Sequence, residues 1–245
     1  MTLIVAIPAQ GGIVLGSDSQ VTAGAVRATH SKIYQLNDYA LWSASGELAL
    51  IQRVAERING FPQNVQPLLS IRDNLAGFVK DAVQGLLTLD FRTQFFAQNP
   101  DALLTLHPGD FLFVEYRNGP RILHVLVNGT SEWVEGRFTA SGSGDLFAHA
   151  LLTKYAGLQL SREHAKLLAY KVIEEAIQVG AYGLGHPIDI WELSAEGVRH
   201  VTEEERLALE DAAGVLRQRE IELLVGEPAS PTPQVGPIEE QPRTA

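Results

Sequence analysis

Residues 2–19, TLIVAIPAQGGIVLGSDS, carry the strongest structural signal in this 245-residue chain. Two β-branched, apolar segments flank the sequence AQGG, which is typical of a tight turn. Both segments are nearly continuous in apolar residues rather than alternating. Strands that are covered on both faces have this pattern. The sequence therefore predicts that the chain begins with a buried β-hairpin.

The turn of this hairpin fixes which residues lie opposite each other. A two-residue turn at Gln10–Gly11 pairs positions whose numbers add up to 21. This register places Thr2 opposite Ser19 and beside Asp18.

A second hairpin is predicted around Asn37–Asp38, between HSKIYQL and YALWSAS. With a two-residue turn there, paired positions add up to 75, so that Lys32 faces Ser43. Ser45–Gly46 then follows one strand end away, and Gly46 is expected to start a helix.

The rest of the chain alternates between groups of helices and groups of strands. The order is strands, two helices, strands, two helices and a strand pair, which excludes a doubly wound βαβ fold. It favours an α+β fold of two sheets between helix layers. The predicted elements are helices over 47–58, 67–96, 146–155 and 161–179, hairpins around Asn118–Gly119 and Ala195–Gly197, a turn at Asn128–Gly129, and a C-terminal helix opened by a Thr202–Glu205 capping box.

Composition excludes several classes of function. The chain has no cysteine, so thiolate zinc sites, iron–sulfur clusters and a cysteine nucleophile are excluded. Its net charge is −10, which argues against a nucleic-acid partner. No apolar run approaches the roughly 18 residues of a membrane span. The first residues do not resemble a signal peptide, so a cytoplasmic location is expected.

Thr2 is the candidate nucleophile. Removal of Met1 would free its α-amine, which can then serve as the base for its own hydroxyl without any histidine. Lys32 would favour the deprotonated forms, Asp18 would hold Lys32, and the Gly46 N–H would stabilise an oxyanion. The seven histidines include none beside a plausible serine elbow, so a histidine triad is disfavoured.

Four stretches together resemble a proteasome β-type subunit of the N-terminal nucleophile hydrolase superfamily. They are TLIVAIPAQGGIVLGSDSQVTAG (2–24), SKIYQL (31–36), WSASGELA (42–49) and TASGSGDLFAHALLTKYAGLQLSREHA (139–165). The resemblance covers residues 2–200 and implies a four-layer αββα sandwich that assembles into stacked homo-oligomeric rings. An α-helical segment over 201–226 and a disordered, proline-rich acidic tail over 227–245 are expected to follow.

The resemblance also assigns roles. It implies the catalytic set Thr2, Asp18, Lys32, Gly46 and Ser143, with Ser143 near the amine. It implies a pocket for the substrate residue before the cut, lined by Val21, His30, Tyr34, Ala44 and Leu48, in which the small Ala44 would admit a large apolar side chain. No cofactor and no metal are expected.

Two departures from the family pattern concern the turn after the fourth helix and residue 20. Ala181 and Leu184 stand where the family usually has an Asp and a Ser, and Tyr182 is a possible substitute. Gln20 stands where proteasome subunits usually have a basic residue, and is more similar to the bacterial HslV branch.

Three functions remain open at this point. The first is a threonine-type endopeptidase subunit of a self-compartmentalising complex, acting on peptides and proteins through an acyl-enzyme, with an ATPase unfoldase as a possible partner. The second is a catalytically silent ring or scaffold subunit. The third is a small-molecule amidase of the same superfamily.

Overall fold

A computed structural model of the chain describes residues 2–23, 26–86, 109–180 and 183–225, with the side chains of residues 22–27 left aside. Several predictions concern residues outside this set. They are the processing of Met1, the continuation of the second helix to residue 96, the roles of Ala181 and Tyr182, and the tail over 227–245.

The described residues form twelve strands and five helices. The strands are β1 (Leu3–Ala9), β2 (Gly12–Asp18), β3 (Gln20–Ala23), β4 (Val26–Thr29), β5 (Ile33–Asn37), β6 (Ala40–Gly46), β7 (Gly109–Tyr116), β8 (Pro120–Val125), β9 (Ser131–Trp133), β10 (Thr139–Gly142), β11 (Ile188–Ser194) and β12 (Gly197–His200). The helices are α1 (Leu48–Asn59), α2 (Leu68–Gly85), α3 (Asp145–Thr153), α4 (Arg162–Gln178) and α5 (Glu203–Val225).

The strands form two antiparallel five-stranded sheets, in the orders β10-β1-β2-β11-β12 and β5-β6-β7-β8-β9, and β3 pairs with β4 separately. Every residue of β2 is buried. This agrees with the prediction from its continuous apolar sequence that it is covered on both faces.

Three apolar cores define four layers. Ile4, Leu15 and Leu112 belong to a core that joins the two sheets. A second core packs α3 and α4 on the first sheet, and a third packs α1 and α2 on the other. The prediction of an α+β sandwich of the αββα type is therefore confirmed. Alternate residues of the central strands β1, β2, β6 and β7 belong to opposite cores, so both faces of both sheets are apolar there.

The register of the first hairpin is the predicted one. Ile4 pairs with Ser17 and Ala9 with Gly12, so that paired positions add up to 21.

The predicted register of the second hairpin is wrong by one residue. Ile33, not Lys32, pairs with Ser43. The chain turns at Asp38–Tyr39, with Asn37 opposite Ala40, and an irregularity between Gln35 and Asn37 absorbs one residue. The Asn37 side chain accepts a hydrogen bond from the Tyr39 N–H at 2.9 Å, and this bond shifts the turn.

The C-terminal helix α5 has the predicted capping box. The Thr202 N–H donates to Glu205 Oε2 at 2.8 Å, and the Glu205 N–H donates to Thr202 Oγ1 at 3.3 Å. No helix within the described ranges is long and apolar enough to cross a membrane.

Candidate active site

Thr2 lies immediately before β1, at the end of the two sheets, and is 8 % exposed. The next residue, Leu3, donates its N–H to Asp18 Oδ1 at 2.9 Å. The predicted closeness of Thr2 and Asp18 is thus found, because the register of the first hairpin brings the start of β1 to the end of β2.

Asp18 and Lys32 form a buried ion pair. Lys32 Nζ donates to Asp18 Oδ1 at 2.8 Å, and the two side chains are 8 % and 0 % exposed. Asp18 Oδ2 accepts two further hydrogen bonds from the N–H groups of Gln20 (3.2 Å) and Gly185 (3.3 Å). Its charge is therefore compensated by one cation and by backbone donors on three sides.

Two opposing effects act on the Lys32 ammonium. Burial lowers its pKa, because desolvation disfavours the charged form, while the charge and the hydrogen bond of Asp18 raise it. Burial is the larger effect, so the pKa of Lys32 lies below its ordinary value.

Ser143 lies against the backbone of Thr2. The Thr2 nitrogen donates to Ser143 Oγ at 3.2 Å, and Ser143 Oγ donates to the Thr2 carbonyl oxygen at 3.3 Å. Gly142 makes this approach possible. Its φ is +101°, and a Cβ there would overlap the Thr2 carbonyl group.

Gly46 is placed differently from the prediction. It is the last residue of β6 and lies opposite Gly109 of β7, whereas α1 begins two residues later with Glu47 as its N-cap. Its φ of +121° favours glycine. A helix N-terminus at Gly46 was therefore the wrong reason to expect an oxyanion donor there. Gly46 is nevertheless at the site, because it lines the same cavity as Thr2.

That cavity has a volume of about 310 Å³ and lies where the ends of the two sheets meet. It brings together three of the five predicted catalytic residues, with Asp18 and Lys32 buried behind them. Its lining is Thr2, Ser45, Gly46, Gly109, Asp110, Gly142, Ser143 and Asp145. The sequence placed Ser45 beside Gly46 without giving it a role, and Gly109, Asp110, Gly142 and Asp145 were missed, although Gly142 and Asp145 lie close to Ser143 in the SGSGD motif.

The five predicted pocket residues are not part of this lining among the described residues. Tyr34 stacks on Trp42 with ring centroids 4.4 Å apart, and Ala44 is buried in the core beneath α1 and α2. Leu48 is exposed, and His30 lines a separate cavity of about 380 Å³ together with Ser31. Val21, in β3, is half-buried. Their role as a substrate pocket stays a prediction.

The turn after α4 is held to β2 and β3. Gln20 Nε2 donates to the Gly183 carbonyl oxygen at 2.8 Å, and the Ser19 N–H donates to the Gly185 carbonyl oxygen at 3.1 Å. Leu184, which the resemblance places where the family usually has a hydrogen-bonding side chain, is buried and packs against Gly144. Within the described part of the chain, no group of three or more His, Asp or Glu side chains is arranged to hold a metal ion.

Two packed sheets between helix layers, with a threonine just before the first strand, agree with the fold that the resemblance to N-terminal nucleophile hydrolases implies. The comparisons with known proteins point to proteasome-like chains within that class. Residues 2–70 of this chain match the family described as "Proteasome subunit".

Known relatives support this resemblance. The chain is 27 % identical over 212 residues to proteasome subunit beta 2 of Nitrosopumilus maritimus, covering 85 % of this chain and 93 % of that protein. It is 24 % identical over 215 residues to proteasome subunit beta of Methanococcus vannielii, covering 83 % and 88 %. A 60-residue segment, 24 % of this chain and 28 % of the relative, is 43 % identical to proteasome subunit beta type-9 of Oryzias latipes.

The fold is also that of a solved structure, Anbu (ancestral beta-subunit) from Yersinia bercovieri. The TM-score is 0.69 at 15 % sequence identity, over 93 % of this chain and 98 % of that one. The resemblance to proteasome β-type chains stated from the sequence motifs is therefore confirmed. The finer expectation of a bacterial, HslV-related branch, which rests on Gln20, stays a prediction.

Proposed function

We propose that this chain is a threonine-type endopeptidase subunit of a self-compartmentalising, proteasome-like complex. The observation that carries the proposal is the placement of Thr2 at an open cavity, with Ser143 on its nitrogen and the buried Lys32–Asp18 pair behind it. A hydroxyl, an amine and a fixed cation are the groups that a self-activated nucleophile needs.

The reaction begins once Met1 is removed, because only a free α-amine can accept a proton. The Thr2 amine takes the hydroxyl proton, directly or through a water, and Oγ attacks the peptide carbonyl carbon. The Gly46 N–H stabilises the resulting oxyanion. The C–N bond then breaks, the leaving amine takes the proton, and water hydrolyses the ester to regenerate Thr2.

Lys32 stabilises the negative charge that develops on Oγ, and Asp18 fixes the position of Lys32. The lowered pKa of Lys32 does not remove this effect, because the ion pair with Asp18 opposes deprotonation. Ser143 orients the Thr2 nitrogen and can exchange protons with it.

The central test compares wild-type protein with Thr2→Ala on fluorogenic peptides. Intact-mass measurement first establishes that Met1 is absent, and N-terminal sequencing should begin Thr-Leu-Ile-Val. We expect Thr2→Ala to lower kcat by roughly 10³-fold or more without changing the fold or assembly. Undiminished turnover in this variant, or an active protein that retains Met1, contradicts the mechanism.

The pH dependence of the rate gives a second test. The ordinary pKa of an α-amine is about 7.7–8.0, so activity should rise with pH through this range. A rate that is highest below pH 6 is incompatible with an amine base.

One observation favours the second candidate, a catalytically silent subunit. Leu184, which the resemblance places where the family usually has a hydrogen-bonding partner for the site, is buried and packs against Gly144. A silent subunit would show no turnover and no labelling of Thr2 by an electrophilic probe such as a β-lactone, even after Met1 removal. An amidase of the same superfamily would instead hydrolyse small amides but not peptides.

We further propose that the chain acts in the cytoplasm as stacked rings of identical subunits, without nucleic-acid or membrane partners, and receives protein substrates from an ATPase unfoldase. Its resemblance to proteasome subunits supports this assembly. Light scattering that shows a stable monomer at micromolar concentration would contradict it. The division into a peptidase domain over 2–200, a helix and a tail is part of the same proposal.

A further inference from the structure

One strand, β11, contacts Asp18 and also Ser31, the residue that precedes Lys32. On the Asp18 side the contact is direct. Ile188 lies opposite Asp18 in the sheet, and Gly185, in the turn that leads into β11, donates its N–H to Asp18 Oδ2. Asp18 is thereby fixed by its own strand and by the neighbouring one.

On the other side, Asp189 contacts Ser31 rather than Lys32 itself. This residue is 9 % exposed, and its Oδ2 accepts a hydrogen bond of 2.6 Å from Ser31 Oγ. Its Oδ1 lies 2.7 Å from Nε2 of His200 on β12, whose ring stacks on Trp191 at 4.5 Å. Both carboxylate oxygens are therefore engaged, and the carboxylate itself is anchored.

Ser31 is the residue before Lys32, and the backbone of Lys32 is held from the other side as well. Ser43 Oγ donates to the Lys32 carbonyl oxygen at 2.6 Å. The backbone around Lys32 is thus held by two side-chain hydrogen bonds, one from Ser31 to Asp189 and one from Ser43 to the Lys32 carbonyl oxygen. Lysine has a flexible four-carbon stem, so the position of its ammonium depends on a fixed backbone.

We propose that Asp189 is a positioning residue, which holds Ser31 and thereby keeps the Lys32 ammonium on Asp18 beside Thr2. The inference rests on the proposed role of Thr2 as nucleophile. Asp189 does not line the Thr2 cavity among the described residues, so it acts through Ser31 and Lys32 rather than on substrate. A displacement of about 1 Å at a catalytic group can cost about 10²-fold in rate, so a positioning contact of this kind has a measurable effect.

The test uses full-length, Met1-processed protein and the variants Asp189→Ala, Asp189→Asn and Ser31→Ala. The matched control is Ser194→Ala, since Ser194 is also buried on β11 but bonds to Glu196, away from the site. We expect Asp189→Ala and Ser31→Ala each to lower kcat about tenfold with little change in KM. Asp189→Asn retains an acceptor for Ser31 and should recover most of the activity. The control should keep wild-type kcat.

A double variant separates positioning from a general loss of stability. If Asp189 acts through Ser31, the Ser31→Ala/Asp189→Ala protein should be no slower than either single variant. Multiplicative losses in the double variant would overturn the inference. So would an Asp189→Ala protein that has a lower Tm but the kcat of wild type.

A readout that does not need turnover distinguishes this inference from the proposed function. The pKa of Lys32, measured by NMR in a Thr2→Ala background, should move by about half a unit or more in Asp189→Ala and Ser31→Ala and stay unchanged in Ser194→Ala. An unchanged Lys32 titration refutes the positioning role. If the titration moves but wild-type protein neither hydrolyses peptides nor is labelled at Thr2, the positioning role stands and the peptidase proposal fails.

Discussion

Replacement of Lys32 by methionine should destabilise the fold as well as abolish activity, because the Lys32 nitrogen donates a hydrogen bond to Asp18 Oδ1 both as an ammonium and as a neutral amine, and a thioether cannot donate one. In Lys32→Met the side chain keeps a similar length, but the Asp18 carboxylate stays fully buried without its cation. Breaking a buried ion pair in this way costs about 3–5 kcal/mol. Asp18 keeps the backbone donors Leu3, Gln20 and Gly185, so the lower end, about 3 kcal/mol, is expected.

The assay is chemical and thermal unfolding of wild type, Lys32→Met, Asp18→Asn and the double variant. For a domain of this size, about 3 kcal/mol corresponds to a fall in Tm of about 6–12 °C. The double variant has no isolated charge, and its asparagine still accepts hydrogen bonds. Its free energy of unfolding should therefore be about 2 kcal/mol higher than the value obtained by adding the losses of the two single variants.

Two results would refute this reasoning. One is a Lys32→Met protein within about 0.5 kcal/mol of wild type, which would mean that the pair contributes nothing to folding. The other is strict additivity in the double variant, which would mean that the cost does not arise from an unpaired charge.

Three further predictions concern pH, specificity and the C-terminal helix. The pKa of Lys32 is lowered on folding, so the unfolded chain binds more protons than the folded one between the folded-state pKa and 10.5, and Lys32 makes the free energy of unfolding rise with pH in that window. The difference between the unfolding free energies of wild type and Lys32→Met, measured across alkaline pH, should show this slope. A difference that does not change with pH would contradict the prediction. Asp110 places a carboxylate in the lining of the Thr2 cavity. Asp110→Asn should therefore lower the ratio of kcat/KM for an arginine peptide to that for a citrulline peptide about fivefold, whereas the control Asp81→Asn, at an exposed residue, should leave this ratio unchanged. The same ratio in Asp110→Asn and in wild type would exclude an electrostatic role of Asp110. Thr202→Ala removes one hydrogen bond of the capping box and should lower the free energy of unfolding, measured by denaturant titration, by about 1 kcal/mol. A loss below about 0.3 kcal/mol would mean that the capping box is not needed to start α5.

The features that depend on local geometry can be predicted from the amino-acid sequence alone. The AQGG turn sets the register of the first hairpin, and that register alone brings Thr2 to Asp18. The capping box at Thr202 and the hairpin turn at Ala195–Gly197 are similarly local, because each involves residues only a few positions apart. Continuous apolar strands indicated the two-sided burial that requires helix layers on both sheets.

The second hairpin marks the limit of such local reasoning. The sequence predicts its turn at Asn37–Asp38, whereas the chain turns at Asp38–Tyr39. The hydrogen bond from the Tyr39 N–H to Asn37 accounts for this shift of one residue. Lys32 still reaches Asp18, because its long side chain tolerates a shift that a short one would not. The resemblance to proteasome subunits, rather than the spacing, identified Ser143.

The distant segments that meet at Thr2 are identified by the three-dimensional structure and not by any local pattern. The contacts of Ser143 with Thr2, of Gly185 with Asp18 and of Asp189 with Ser31 join residues more than 140 positions apart. They depend on how β10 and β11 add to the two sides of the β1–β2 hairpin, and no local pattern encodes that order. The closeness of Thr2 and Asp18 therefore follows from one local turn. The positions of the groups that hold these two residues depend on the packing of the whole sheet.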